Sequence, residues 1–138
     1  MVLACAAAGV PLVPQGGNTG LVGAAAPADG EVVLTTCRLN AVGVPDLATG
    51  TLEAGAGTTL ERAQAVARTA GLEVGVDLAS RGSATVGGVV ATNAGGARVL
   101  RAGMTRNQVL GLEAVLADGS VVTRMSGLPK AALSLSSA

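Results

Sequence analysis

The sequence predicts a mixed fold of helices and strands, of the α+β or α/β class. Short apolar segments alternate with turns along the chain, and one segment has the spacing and end signals of an amphipathic helix. The 138 residues are 49% hydrophobic and 13% charged, against roughly 25% charged residues in typical domains. A packed core is therefore expected. Since the sequence has no Phe, Tyr or Trp, that core must consist of Ala, Val and Leu.

The first predicted elements are a helix end and three short strands. Val2–Ala8 has the pattern of a helix end stopped by Gly9, and it leads into a buried strand over 10–13. Further strands are expected over 32–36 and 51–54, because Gly, Pro or Asp bounds each run. One or two helical turns alone are marginal, so the first helix is expected to lack its front half.

The later part of the chain carries clearer signals. Thr58 and Glu61 have the spacing of a capping box, apolar residues follow at helical intervals, and Gly71 supplies the stop. A buried strand over 74–76 is expected next. The segments 109–117 and 120–124 flank an Asp-Gly pair that is typical of a two-residue hairpin turn. The glycine-rich stretches of the chain therefore fall in loops between elements.

Composition argues against several classes of function. The net charge is zero and the basic residues are scattered, so nucleic-acid binding has little support. The absence of histidine removes the commonest general base and metal ligand. Cys5 and Cys37 lie far apart, so we expect two buried apolar residues and neither a disulfide nor a metal site.

The apolar start of the chain is not expected to target or anchor it. Residues 1–13 carry no Lys or Arg, which a secretory signal requires near its start. They are also fewer than the roughly 20 apolar residues of a membrane span. We therefore expect a cytoplasmic protein without a membrane span.

The first of two glycine-rich stretches reads P-Q-G-G-N-T-G-L over 14–21 and follows a predicted strand. Because glycine accepts positive φ and has no Cβ, its consecutive amides can form a nest for a pyrophosphate. The stretch lacks the Gly-Lys-Ser/Thr of a P-loop and the G-x-G-x-x-G of the dinucleotide fold. Taken alone, it could also be a tight surface turn. The residues of the predicted nest are Gly16, Gly17, Asn18, Thr19 and Gly20.

The second stretch reads G-S-A-T-V-G-G-V-V-A-T-N-A-G-G over 82–96. Its small residues would let the backbone pack against a planar ring system, while hydroxyl and amide groups offer polar contacts. The alternative is a bend that only permits close packing of two elements. Two such stretches in one chain predict a bound nucleotide cofactor. The polar side chains of the second are Ser83, Thr85, Thr92 and Asn93.

Three segments together resemble the FAD-linked oxidases of the vanillyl-alcohol-oxidase type, which have a PCMH-type FAD-binding domain. They are P-Q-G-G-N-T-G-L-V-G, the run 77–96, and R-V-L-R-A-G-M-T-R-N-Q-V-L-G-L-E-A-V-L-A-D-G. The branch they resemble most contains D-2-hydroxyglutarate dehydrogenase, D-lactate dehydrogenase and the glycolate oxidase D subunit. Cell-wall sugar-nucleotide reductases share the broader fold, but the second and third segments argue against them.

This resemblance implies a partial FAD-binding domain, incomplete at both ends, with FAD held between two α/β lobes. The lobes would span about 1–45 and about 46–138. The FAD is expected to be noncovalent, because the chain has no histidine for the histidyl link of some relatives. The residues implied to bind FAD are Gly16, Gly17, Asn18, Thr19, Gly20 and Leu21 in the first lobe and Gly82, Ser83, Thr85, Val86, Gly87, Gly88, Asn93 and Gly95 in the second.

Some positions depart from the family pattern. Gln15 stands where many members have Arg, which removes a charge near the phosphates but leaves a hydrogen-bonding side chain. Val89 replaces a frequent Asn and Ala102 a usual Tyr. The looser group of cations Arg98, Arg101 and Arg106 could attract an anionic substrate or phosphate, or have a solvated structural role.

The reaction implied by the resemblance is oxidation of a D-2-hydroxy acid to a 2-oxo acid by hydride transfer to FAD. In the family the groups that deprotonate the substrate come mainly from a substrate domain, which this chain lacks. We therefore assign no catalytic residue, and we expect the chain to be inactive unless a complementing chain or oligomer supplies the missing parts. The alternative is a non-enzymatic fragment or structural module that no longer binds flavin.

Overall fold

The computed structural model describes residues 1–124 and 132–137. The helices are α1 (Val2–Ala8), α2 (Leu60–Thr69), α3 (Val86–Ala91) and α4 (Val99–Ala102), and a 3-10 turn follows at Thr105–Gln108. The strands are β1 (Leu12–Gln15), β2 (Val32–Thr35), β3 (Thr51–Glu53), β4 (Leu72–Val74), β5 (Leu112–Val115), β6 (Val121–Arg124) and β7 (Ala132–Ser137). The predicted mixture of helices and strands is confirmed.

The described strands pair in three small sheets. β1 lies parallel to β2, with Leu12 opposite Val32 and Gln15 opposite Thr35. β7 lies between β3 and β4 and is antiparallel to both, and β5 and β6 form an antiparallel hairpin. Because β1 and β2 run in the same direction, the loops that follow them start side by side.

The core lies between the β3-β7-β4 sheet and the helices α2 and α3. Leu52 of β3 and Leu60 of α2 are at most 1% exposed. The other buried apolar residues are short aliphatic ones. The members of this cluster are Leu52, Ala54, Leu60, Ala63, Ala67, Val74, Val76, Ala84, Val86 and Val89. The prediction of a core of Ala, Val and Leu is confirmed for the described residues.

Helix α2 begins later than the predicted capping box. Its N-cap is Thr59, whose hydroxyl accepts a hydrogen bond from the Arg62 amide at 3.3 Å. Thr58 instead donates its hydroxyl to the Ala41 carbonyl at 3.2 Å. The expectation of Thr58 as the cap was therefore wrong by one residue, because a tertiary contact uses the Thr58 side chain.

The first amides of α2 are bound by the chain that precedes α3. The amide of Leu60 donates to the Ala84 carbonyl at 2.8 Å, and that of Glu61 to the Arg81 carbonyl at 3.0 Å. Orphan amides at a helix start are common anion sites. Here they hold the second glycine-rich stretch in place against α2.

Several other elements differ from expectation. The strand expected over 10–13 lies at Leu12–Gln15, and the one expected over 74–76 lies at Leu72–Val74. The second glycine-rich stretch is not wholly a loop, because 86–91 forms α3. The two cysteines are not buried: Cys5 is half-buried and Cys37 is exposed. The hairpin around the Asp-Gly pair is confirmed, but its turn is longer than the two residues predicted. The Leu116 amide donates to the Ser120 carbonyl at 2.8 Å, so residues 117–119 form the turn, and Gly119 alone of the Asp-Gly pair has a positive φ.

Candidate functional site

The first glycine-rich loop leaves the end of β1. Gly16 and Gly17 are half-buried, and the residues from Asn18 to Ala24 are exposed. Asn18 has a φ of 50°, in the left-handed region that few residues other than glycine adopt. Within the described part of the chain, no main-chain amide of 16–22 has a protein hydrogen-bond partner. These amides are therefore free to donate to a ligand.

The second glycine-rich stretch lies directly against the first. A Cβ added at Gly17 would overlap the Ser83 carbonyl oxygen and lie 3.1 Å from the Ala84 amide nitrogen. A Cβ added at Gly16 would overlap the hydroxyl oxygen of Thr85. Any side chain at these two positions would push the stretches apart. This junction therefore requires glycine at both positions.

A buried hydroxyl without a partner lies at the same junction. Thr85 is only 6% exposed, and its Oγ1 has no hydrogen-bond partner among the described residues. It also lies close to Gly88, where an added Cβ would be 3.4 Å from the same oxygen. A buried unsatisfied polar group costs about 1–3 kcal/mol. This orphan fits a site in which a bound ligand supplies the missing partner.

The start of α3 is used for packing within the protein. The amide of Val86 donates to the Thr58 carbonyl and that of Gly87 to the Ala56 carbonyl, both at 2.8 Å. A Cβ at Gly87 would lie 2.7 Å from the Ala56 Cβ. The structure therefore explains these two positions by close packing, and their amides are not free for a ligand.

Asn93 and Gly95 lie beyond the other end of α3. The Asn93 side-chain oxygen accepts a hydrogen bond from the Arg106 amide at 3.0 Å, and a Cβ at Gly95 would lie 3.2 Å from the Met104 sulfur. These contacts fix the two residues to the chain that follows α4. The Ala94 amide donates to the Val89 carbonyl at 3.0 Å, so the chain turns back against the C-terminal end of α3, at the opposite end of this helix from the Thr85 junction.

Two further glycines have a packing role. A Cβ at Gly57 would overlap the Thr36 carbonyl oxygen, and one at Gly55 would overlap that of Leu39. The segment before α2 therefore packs closely on the segment after β2. The Gly-Ala-Gly sequence over 55–57 lets these two backbone segments approach each other closely. This role agrees with its incomplete match to the dinucleotide fingerprint.

A charged network lies on the β4 side of α2. Arg98 forms an ion pair with Glu73 at 2.8 Å. The pKa of Asp77 is lowered below its ordinary value, first by a hydrogen bond from the side-chain amide of Gln64 and then by the charges of Arg81 and Arg98. Arg98 is thus already paired with a carboxylate through its Nη1.

A family model described as an FAD binding domain matches residues 1–124. Among curated proteins, the mitochondrial D-2-hydroxyglutarate dehydrogenase of Bos taurus is 46% identical over 117 residues, which are 85% of this chain and 22% of that protein. The D-2-hydroxyglutarate dehydrogenase of Xanthomonas citri is 46% identical over 121 residues, 88% of this chain and 26% of that protein. A putative mitochondrial D-lactate dehydrogenase of Schizosaccharomyces pombe is 41% identical over 119 residues, 86% of this chain and 23% of that protein.

Solved structures show the same fold at lower identity. An alkyldihydroxyacetonephosphate synthase superposes with a TM-score of 0.87 at 20% identity, covering 99% of this chain and 29% of that one. The 6-hydroxy-D-nicotine oxidase of Arthrobacter nicotinovorans superposes with a TM-score of 0.85 at 17% identity, covering 99% of this chain and 33% of that one. These matches confirm the fold predicted from the three sequence segments.

The chain spans about a quarter or less of the length of the curated relatives it matches, from 22% to 26% for those above. Across the described residues, we find no helix whose length and apolar character would let it cross a membrane. Some of the relatives are named as mitochondrial, so the cytoplasmic location stays a prediction. The lobe boundaries and the individual ligand contacts also stay predictions.

Proposed function

Because the chain belongs to the family of FAD binding domains, we propose that it is the FAD-binding portion of a flavoprotein oxidoreductase that oxidises a D-2-hydroxy acid to a 2-oxo acid. The observation that carries this proposal is the junction of the two glycine-rich stretches. It brings Gly16, where the run of free amides over 16–22 begins, next to the orphaned hydroxyl of Thr85. Both kinds of donor suit the diphosphate of a dinucleotide.

In this proposal the two stretches have different tasks. The free amides of the first loop, from Gly16 to Leu21, bind the diphosphate, and the Asn18 and Thr19 side chains add hydrogen bonds. Thr85 donates its hydroxyl to the same ligand from the second stretch. Gly82, Ser83 and Gly88 present backbone beside it, since all three are exposed.

The remaining predicted contacts are assigned a supporting task. Val86 and Gly87 shape the site by packing, because their amides are already bonded to carbonyls of 56–58. Asn93 and Gly95 lie at the far end of α3, where a ligand as long as FAD can reach them. The ligand would therefore extend along α3 from its N-terminal junction.

The substrate class is inferred from the names of the relatives, which are D-2-hydroxyglutarate and D-lactate dehydrogenases. When bound, FAD supplies the acceptor for the two electrons removed from the substrate carbon that bears the hydroxyl. The described residues provide the flavin side of such a site. We assign no general base, because no residue of this chain is placed against a substrate.

The proposal is tested by titrating the purified chain with FAD and with riboflavin, which lacks phosphates. We expect FAD to bind with altered visible absorption and flavin fluorescence, and riboflavin to bind far more weakly. Circular dichroism establishes that the protein is folded before the titration. A folded chain that leaves FAD in its free spectral form would overturn the proposal and favour a structural module that does not bind flavin.

A further inference from the structure

We propose that Gln15 is a positioning residue that holds the first glycine-rich loop closed in the shape that FAD requires, an inference that rests on the proposed function. The Gln15 side-chain nitrogen donates a hydrogen bond to the carbonyl of Ala25 at 2.8 Å. Ten sequence positions separate the two residues, so this one bond joins the end of β1 to a residue well inside the segment 16–31 that leads to β2.

We call the hydrogen bond from Gln15 to Ala25 the clamp. Its Gln15 end is fixed by β2. Gln15 is the last residue of β1 and pairs with Thr35. The carbonyl of Gln15 accepts a hydrogen bond from the Thr36 amide at 2.9 Å and a longer one from the Thr36 hydroxyl at 3.4 Å. The backbone of Gln15 is therefore fixed, and the length of its side chain sets the position of Ala25.

Little else within the described residues holds the far part of the loop. The main-chain hydrogen bond internal to 16–26 joins the Ala26 amide to the Gly23 carbonyl at 2.9 Å and forms only a local turn. Leu21 and Val22 at the tip are 101% and 86% exposed, so apolar packing does not fix them. The contacts of Gly16 and Gly17 with the second stretch hold the near end alone.

The clamp affects ligand affinity through the population of the closed loop. A ligand that binds only the closed loop has an apparent Kd equal to its intrinsic Kd divided by the closed fraction. One net intramolecular hydrogen bond changes such an equilibrium by about three- to tenfold. Removing the clamp should therefore raise the Kd for FAD by at most about three- to tenfold, and by less the more the closed loop predominates in the wild type. The thermal unfolding of the domain should change little, because Gln15 is half-buried and lies outside the core cluster.

Two variants remove the clamp in different ways. Gln15→Met keeps the length of the side chain, adds no charge and cannot donate. Gln15→Asn keeps the amide but is one methylene too short to reach Ala25. The matched control is Thr69→Val, which removes a neutral side-chain bond of the same kind, from the Thr69 hydroxyl to the Val66 carbonyl at 2.7 Å, at the exposed end of α2.

Two measurements are made on the full chain. The first, without ligand, is amide hydrogen exchange over 16–26 together with the rate of thermolysin cleavage at the exposed Leu21 and Val22. The second is the Kd for FAD by fluorescence titration. Both Gln15 variants should show faster cleavage and faster exchange in the loop, a Kd raised by at most about three- to tenfold, and an unfolding temperature close to that of the wild type. Thr69→Val should match the wild type in all respects.

Each other outcome has a defined meaning. A loop that loosens while the Kd for FAD stays unchanged would overturn the positioning role. A raised Kd without loosening of the ligand-free loop would also overturn it, since Gln15 would then act on the ligand directly. Failure of the proposed function is seen separately, as absence of FAD binding by the wild-type chain before any variant is compared.

Discussion

Gly17 lies so close to Ser83 that a Cβ on Gly17 would overlap the Ser83 carbonyl oxygen. The two residues belong to segments that are far apart in sequence, so this contact sets the distance between the loop after β1 and the stretch before α3. Free amides on one side and the orphaned hydroxyl of Thr85 on the other meet at this point. Substitutions at this junction can test its close packing separately from its proposed role in binding a ligand.

Gly17→Ala should destabilise the domain and weaken FAD binding together, because the new methyl group must displace the Ser83 backbone. Forced insertion of this kind costs about 1–3 kcal/mol, which we expect as a fall in the midpoint of urea unfolding. Gly20→Ala is the matched control from the same loop, since an added Cβ at Gly20 meets no atom within 4 Å. An equal fall in the urea midpoint in the two variants would contradict the importance of the junction.

Thr85→Val should have opposite effects on the ligand-free and the FAD-bound protein. Replacing an unsatisfied buried hydroxyl by a methyl group of similar shape is neutral or stabilising, so the free energy of unfolding should stay equal or rise by up to about 1 kcal/mol. The affinity for FAD should fall by about fivefold, the equivalent of about 1 kcal/mol. Thr85→Ser keeps the hydroxyl and should retain most of the affinity. A Thr85→Val protein that is less stable yet binds FAD normally would refute the proposed role.

Elements marked by local signals were predictable from the sequence. The Asp118-Gly119 turn is one, because Gly119 takes a φ of 81° that suits a tight hairpin turn. The stop at Gly71 is another, since its φ is 70° and it lies one residue beyond the Ala70 C-cap of α2. Signals of this kind depend on the residue itself and need no knowledge of its tertiary contacts.

Elements that depend on distant partners were not predictable in the same way. α3 contains Gly87 and Gly88, which disfavour a helix, and it forms because Val86 and Val89 are buried in the core. β7 pairs with β3 and β4, far away in sequence, and the alternation of Leu and Ser over 133–136 is its weak local signal.

The composition of the candidate site was easier to predict than its contacts. The glycine-rich motifs indicate Gly16, Gly17 and Thr85 from sequence alone, and the structure brings these three together. The clamp from Gln15 to Ala25 leaves no trace in the sequence, because its acceptor is a main-chain carbonyl that any residue provides. Predictions from motifs therefore find the residues proposed to face the ligand before those proposed to hold them.

Asp77→Asn should make the stability less dependent on acid. The pKa of Asp77 is lowered, first by the hydrogen bond from Gln64 and then by Arg81 and Arg98. A carboxylate with a lowered pKa in the folded state contributes stability that is present above its ordinary pKa of about 3.9 and is lost as the pH falls through the lowered value.

The expected result for Asp77→Asn is a lower free energy of unfolding than the wild type at neutral pH, with a difference that shrinks below about pH 4. Urea unfolding at several pH values measures that difference directly. A difference that stays constant from neutral pH to about pH 3 would show that the charge of Asp77 is not responsible.

Leu52→Ala should cause the largest loss of stability among simple truncations, because Leu52 is 0% exposed at the centre of the aliphatic cluster. Without Phe, Tyr or Trp in the sequence, the core depends on small side chains, and its neighbours have little spare volume with which to fill a cavity. Truncation of a buried leucine costs about 2–5 kcal/mol, a large part of the total stability of about 5–15 kcal/mol for a typical domain. Leu100→Ala removes the same atoms from a position that is 101% exposed and should leave the urea midpoint unchanged. If Leu52→Ala cost no more than Leu100→Ala, the packing of Leu52 in the aliphatic cluster would not be what stabilises the fold.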